Sequence, residues 1–285
     1  MKNYIEYFFV NIFVLVSKII GLKLSSLLGG IILYMFGLFS SRNKIGMKNL
    51  NIVFPKKEIR KKKKILRNMW FHFGRVIGEY PHLKNISVFD NPNINIIGID
   101  NLLKPLKINK NCIFFSAHLG NWELSSHPLT QNGHSINFIY RSANNKLVDN
   151  LLNKIRAEYG VKLISKGKDG AKECIKALKG KENLGMLIDQ KMNDGLSINF
   201  FGREAMTATA IAKLSLKFDC PVIPSICVRV KGIKFMIKYF KPINSKKLRT
   251  LGSEKEIMLY LNSYIENWII KYPDQWIWIH NRWKD

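Results

Sequence analysis

The sequence predicts an α/β protein: a central mixed, largely parallel sheet flanked by helices, preceded by an N-terminal membrane-associated helix. Three observations carry this. Beyond about residue 110, short β-rich runs alternate with helix-like segments, the order that builds a parallel sheet with helical crossovers. Residues 24–41, LSSLLGGIILYMFGLFSS, hold no charged side chain over 18 positions, the lower limit for crossing a bilayer core. The chain also carries 46 Lys and Arg against 20 Asp and Glu, a net charge of +26.

The elements follow in order. Residues 4–22 are rich in apolar and aromatic side chains but include Glu6 and Lys18. After the uncharged stretch, seven of the nine residues from 56 to 64 are Lys or Arg. A basic segment beside an apolar one stays on the cytoplasmic side, against anionic lipid. No small-x-small cleavage site with a polar flank follows, which argues against a removed signal peptide. Residues 1–41 therefore read as a membrane anchor of one or two helices, spanning the bilayer or lying in its interface. The competing reading is an amphipathic helix packed on the protein's own core.

Residues 42–285 read as a single domain, undivided by any repeat or Pro/Gly/Ser-rich linker. Residues 42–90 and 253–271 look helical. The β-rich runs are 112–117, 135–140, 162–165, 184–188, 221–230 and 234–240, the last two close enough to form a hairpin. Helical segments are expected at 121–132, 144–160, 169–180 and 207–219; several end in Gly or Asn, as helices often do.

The positive charge calls for a polyanionic partner: nucleic acid, an anionic membrane or an acidic protein. No nucleic-acid-binding module is present, and the basic residues flank an apolar N-terminus, against a nucleic-acid role. Cys112, Cys174, Cys220 and Cys227 form no C-x-x-C pair and read as buried, unbridged thiols. No His/Cys spacing suits zinc, so no metal is expected.

The stretch CIFFSAHLGNWEL, residues 112–124, carries the chemistry. His118 stands just past a buried strand, where open α/β sheets place their ligands. Gly120 permits a tight turn and Asn121 can cap the following helix. Glu123, five residues after the histidine, is near enough to fold back on it. A carboxylate beside an imidazole raises its basicity and fixes its tautomer, so His118 could take a proton from an alcohol. Alone, this spacing is weak, and a capped helix beside a structural histidine is the better explanation of it.

Here the motif has company. SAHLGNWEL closely resembles the H-x4-(D/E) block of glycerolipid-type acyltransferases, and its Asn-Trp-Glu form that of the late lipid A acyltransferases, the lauroyl/myristoyl transferase family. Further blocks match in family order: RNKIGMKNLNIVFP; IYR at 139–141 and IRAEYG at 155–160; SKGKDGAKECIKALKG followed by LGMLIDQ; INFFGREAMTAT; and YPDQWIWIHNRWK. The resemblance spans about residues 5–284.

The resemblance implies a glycerolipid-acyltransferase-like fold and an inner-membrane enzyme facing the cytoplasm. It implies transfer of a fatty acyl group from acyl carrier protein onto a hydroxyl of an acyl chain on the Kdo-bearing lipid A precursor, with neither cofactor nor metal. The expected partners are acyl-acyl carrier protein, the lipid A precursor and membrane phospholipid. His118 is the expected general base and Glu123 its partner. Arg156, then Arg141, are the oxyanion or substrate-binding candidates, with Asn121 beside them. Asp189, with Gln190, is expected to organise those arginines or the site loop. Arg282 and Lys284, beside Trp276, Trp278 and Trp283, are weaker candidates for holding a headgroup; the competing reading packs this segment on the core. His72, His82, His127, His134 and His280 are read as structural. The rival functions are a same-fold acyltransferase acting on another glycolipid or lysophospholipid and a tethering protein without activity. Nothing in the sequence sets acyl length.

Overall fold

The computed structural model describes residues 1–108 and 111–283. The chain opens with helix α1 (Lys2–Phe39), bent at Gly21, whose φ of 79° and ψ of 167° lie outside the helical region. Its inward face is made of small residues: Ser17, Ser25, Ser26, Gly29, Gly30 and Gly37. Its outward face is large and apolar; Phe8, Phe9, Leu15, Ile19, Leu24, Phe36 and Phe39 are all exposed. A water-facing helix has the opposite polarity, so this one suits a lipid surround. It is also long and apolar enough to cross a membrane. On its other side, α1 packs on the protein through its small face.

Helices α2 (Asn43–Val53) and α3 (Ile59–Glu79) follow, and a 3-10 segment (Tyr80–Asn85) continues α3. The α3 residues Ile65, Leu66, Met69 and Trp70 are buried, whereas Arg60, Lys61, Lys63, Lys64 and Arg67 are exposed. The basic run is therefore the outer face of an amphipathic helix. Gly29 of α1 and Gly74 of α3 meet backbone to backbone, and a Cβ on either would overlap the other's carbonyl.

The remaining elements are β1 (Ile94–Ile97), α4 (Ile99–Lys107), β2 (Ile113–Ser116), a 3-10 turn (Trp122–Ser126), α5 (His127–Thr130), β3 (Ile136–Tyr140), α6 (Lys146–Ala157), β4 (Val161–Ser165), α7 (Lys168–Lys179), β5 (Asn183–Leu187), β6 (Leu196–Phe200), β7 (Arg203–Thr207), α8 (Ala210–Phe218), β8 (Val222–Lys231), β9 (Lys234–Tyr239), α9 (Ser245–Thr250) and α10 (Glu254–Lys271). Seven strands form one sheet in the order β1-β9-β8-β2-β5-β3-β4. Every pairing in it is parallel except β8–β9, the expected hairpin.

Strand β2 lies near the middle of the sheet, buried along its whole length. Its residues alternate between two cores. Ile113 and Phe115 face one, which includes Trp268 of α10, stacked on Phe115 at 5.9 Å; Cys112 and Phe114 face the other, with Leu102 and Leu106 of α4. All four cysteines are buried.

Three pieces depart from the sequence reading. The segment 121–132 forms a 3-10 turn and one short helical turn rather than a full helix. Strand β1 and helix α4 precede residue 110, so the strand–helix alternation begins earlier than the sequence pattern predicts. The INFFGREAMTAT block folds largely as the separate β6–β7 hairpin, closed by Phe201 and Gly202, both at positive φ. Two left-handed residues make the tight turn that suits strand twist, but Phe-Gly lacks the usual Asn-Gly signature.

Candidate active site

The register between β2 and β5 builds the site. Ser116 pairs with Leu187, so two residues on, past both strand ends, His118 and Asp189 arrive side by side. The His118 ring Nδ1 lies 2.8 Å from Asp189 Oδ1, and the His118 backbone N–H donates to Asp189 Oδ2 at 3.0 Å. Trp276 Nε1 donates to the same Oδ2 at 2.8 Å. Burial alone would raise the pKa of Asp189, but the His118 charge and these hydrogen bonds outweigh it and bring it down to about 2. An ionised carboxylate only accepts, so Nδ1 is the nitrogen that carries a proton towards Asp189, and in the neutral tautomer the lone pair is on Nε2. The ring packs against Trp122, centroids 5.3 Å apart.

Gly120 makes the turn, with φ of 65° and no room for a Cβ against the Cys227 carbonyl. Its N–H donates to Gln275 O at 3.0 Å, and the Asn121 N–H to Cys227 O at 3.0 Å. Asn121 does not cap the turn that follows. It is fully buried and its Nδ2 donates to Glu79 Oε2 at 2.8 Å, so it faces the interior rather than a substrate.

Glu123 does not partner His118 in this structure. Its carboxylate receives Arg156 Nη2 at 2.6 Å, Arg156 Nε at 3.2 Å and the Tyr159 hydroxyl at 2.8 Å. Burial would raise its pKa, but the Arg156 charge and the donors around it hold the carboxyl below its ordinary range. Arg156 is correspondingly held in its charged form, burial being outweighed by Glu123. The guanidinium also stands over the Tyr80 ring at 5.4 Å. The expectation of a His118–Glu123 pair fails because the turn directs Glu123 towards the end of α6, where Arg156 and, just past the helix, Tyr159 claim it. Of the two roles expected of Asp189, its contacts are with the site loop, at the ring and backbone N–H of His118, and not with Arg156 or Arg141.

His118, Glu123, Arg156, Arg141 and Gln190 nevertheless share one cavity of about 340 Å³. Phe138, Ile139, Leu163 and Leu187 line its apolar side. A basic nitrogen and two arginines beside an apolar wall suit a reaction at a carbonyl carrying a hydrocarbon chain.

The C-terminal segment is core. Arg282 is fully buried, donating to Met206 O at 2.8 Å and to Thr207 Oγ1 at 2.7 Å. Trp276, Trp278 and Trp283 are buried too. The expected headgroup role of Arg282 is thus corrected: its cation is spent on the β6–β7 hairpin. Lys284 lies outside the described residues. His280 Nε2 accepts the Lys191 N–H at 2.9 Å, and burial lowers its pKa to about 4, consistent with a structural role. Among the described residues, no group of three or more His, Cys, Asp or Glu side chains could hold a metal ion.

Sequence reasoning missed the Tyr159 hydroxyl and the Trp276 indole. Both lay within recognised blocks, IRAEYG and YPDQWIWIHNRWK, but nothing in their spacing says which carboxylate each would meet.

The sheet, the histidine past its central strand and the cationic, apolar-walled cavity suit an α/β enzyme of the acyltransferase class. The sequence profile of the bacterial lipid A biosynthesis acyltransferases matches residues 1–285, and the chain belongs to that family. It resembles the lipid A biosynthesis palmitoleoyltransferase of Escherichia coli (strain K12), at 23% identity over 251 residues, 85% of this chain and 79% of that protein. The lipid A biosynthesis acyltransferase of Shigella flexneri is similar to the same extent. The chain is thus an acyltransferase of lipid A biosynthesis.

Proposed function

We propose that this enzyme moves a fatty acyl group from acyl carrier protein onto a hydroxyl of an acyl chain of the Kdo-bearing lipid A precursor, at the cytoplasmic face of the inner membrane. The observation that carries the reading is the His118–Asp189 contact at the edge of the cavity. The acceptor hydroxyl gives its proton to His118 Nε2 while its oxygen attacks the thioester carbonyl carbon. Asp189 stabilises the imidazolium that forms. The carbonyl oxygen becomes an oxyanion, for which Arg156, oriented by Glu123, is the first donor and Arg141 the second. Collapse breaks the carbon–sulfur bond, and His118 returns the proton to the departing thiolate. The products are an ester and the free thiol of the carrier.

The cationic surface suits both partners, since the carrier is acidic and the acceptor bears phosphates and carboxylates. The outward apolar face of α1 and the basic outer face of α3 support a seat on anionic lipid, which supplies membrane phospholipid as the remaining partner. The test is mass spectrometry of lipid A from a strain that lacks its late acyltransferases and expresses this chain. A gain of one acyl mass, absent with His118→Ala, is expected. No gain with the protein present would redirect the reading to another glycolipid or lysophospholipid acceptor.

A further inference from the structure

Glu79, the last residue of α3, is fully buried, and the reaction above does not use it. Its carboxylate gathers donors from three parts of the chain. Oε1 accepts Ser26 Oγ of α1 at 2.6 Å and Arg229 Nη1 of β8 at 2.5 Å. Oε2 accepts Asn121 Nδ2 of the catalytic turn at 2.8 Å and Arg229 Nη2 at 2.8 Å. Arg229 alone would balance the charge. A buried ion pair contributes little net stability, whereas its geometry fixes what it touches.

Of the other two donors, Asn121 closes a circuit around the catalytic turn. Gln275 exchanges two hydrogen bonds with the Arg229 backbone, at 2.9 and 2.8 Å, and its own carbonyl accepts the Gly120 N–H. The path runs Glu79, Asn121, Gly120, Gln275, Arg229 and back to Glu79. His118 lies three residues before Asn121 and Glu123 two after it. Ser26 ties the same carboxylate to the N-terminal helix and also receives Arg75 Nε at 2.9 Å.

We infer that Glu79 is a positioning residue for the reaction at His118, and that Ser26, through it, makes the membrane-facing helix part of the support of the active site. This rests on the reading of His118 as the base. A structural role alone would move stability; a positioning role moves turnover per folded molecule.

The test uses the full chain in detergent micelles, with acyl carrier protein thioester as donor and lipid A precursor as acceptor. Asn121→Ala and Ser26→Ala each remove one donor and leave the Glu79–Arg229 pair intact. Asn121→Ala should lower kcat about tenfold or more and leave KM for the thioester within about twofold. Ser26→Ala should lower kcat about threefold, and the double variant should lose less than the product, because both bonds meet on one carboxylate. The paired substitution Glu79→Met with Arg229→Met removes both charges together and spares the fold an unpaired ion; its kcat should match that of Asn121→Ala. Wild-type kcat in the paired variant, independent multiplication of the two single losses, or losses that follow only the folded fraction would overturn the inference. Activity surviving in His118→Ala would instead overturn the reading of the base, so the two failures are distinct.

Discussion

Asp189 grips His118 at two points, the ring Nδ1 through Oδ1 and the backbone N–H through Oδ2. The grip fixes the tautomer and the ring plane together, and the adjacent ends of two parallel strands deliver it. Asp189→Asn should therefore cut kcat roughly 10²-fold or more and leave KM nearly unchanged. An amide keeps the shape but loses the charge that stabilises imidazolium. Steady-state release of carrier thiol measures the effect; turnover within twofold of wild type would remove Asp189 from the mechanism.

The same carboxylate sets a pH dependence of stability. Its folded pKa, about 2, lies below the ordinary value of 3.8. Stability from this group is therefore present above the ordinary value and is lost as pH falls through the folded one. In thermal melts from pH 5 to pH 2, wild type should lose stability most steeply below about pH 4, by about 2 kcal/mol from this group. Asp189→Asn should flatten that limb, and an unchanged slope would count against the assigned contact.

Glu123 acts at one remove, through Arg156. Glu123→Ala leaves the His118–Asp189 pair in place but frees the guanidinium, and leaves a partly buried cation without its counter-charge. Turnover should fall about 10²-fold, with the pH dependence of the base unaltered. A shifted acid limb of the kcat profile would mean that Glu123 acts on His118 directly, as its spacing suggests.

That spacing marks the limit of what the sequence conveys. The succession of strands along the chain and the place of His118 after one of them were legible because β2, β3, β4 and β5 are short, largely apolar and regularly interrupted. The β2–β5 register that seats Asp189 beside His118 is set by long-range pairing, which no local pattern encodes. Glu123 illustrates the same gap, since proximity along the chain favoured His118, while Arg156 and Tyr159 come from α6 and the turn after it, more than thirty residues on. Arg282 looked like an interfacial cation because neighbouring tryptophans suit an interface, yet those rings are buried, Trp276 and Trp283 against Phe200 of the β6–β7 hairpin and Trp278 against Phe54 and Trp276.

The apolar side of the cavity gives a prediction on chain length. The Phe138 ring lies over Gly185, where a Cβ would overlap it. Phe138 also borders a second, water-sized void of about 10 Å³ lined in part by Leu129, Ile136 and Met186. Gly185→Ala should push the ring into the cavity, at a cost of about 1–3 kcal/mol, and shift donor preference towards shorter chains. Phe138→Ala should join the two spaces and shift it towards longer ones. Competition among carrier thioesters of graded length measures both; parallel shifts in one direction would reject Phe138 as the barrier.

The contact between α1 and α3 decides whether residues 1–41 are a detachable anchor. Gly29 and Gly74 meet backbone to backbone, Gly78 lies against Ser25, and Gly37 seats the Trp70 ring. Small residues allow this approach, and its dispersion contacts are lost if the helices part. Gly74→Leu should hold the helices apart while leaving the outward apolar face of α1 untouched. The variant should still sediment with membranes, yet melt several degrees lower, since about 1–3 kcal/mol of overpacking is worth roughly 2–4 °C per kcal/mol in a chain of this size. Deleting residues 1–41 should do more than release the protein, because it bares the Trp70 and Gly74 face of α3. The truncated chain should then aggregate unless detergent covers that face. A stable, monodisperse truncated protein with full turnover on soluble donor would show that α1 only anchors.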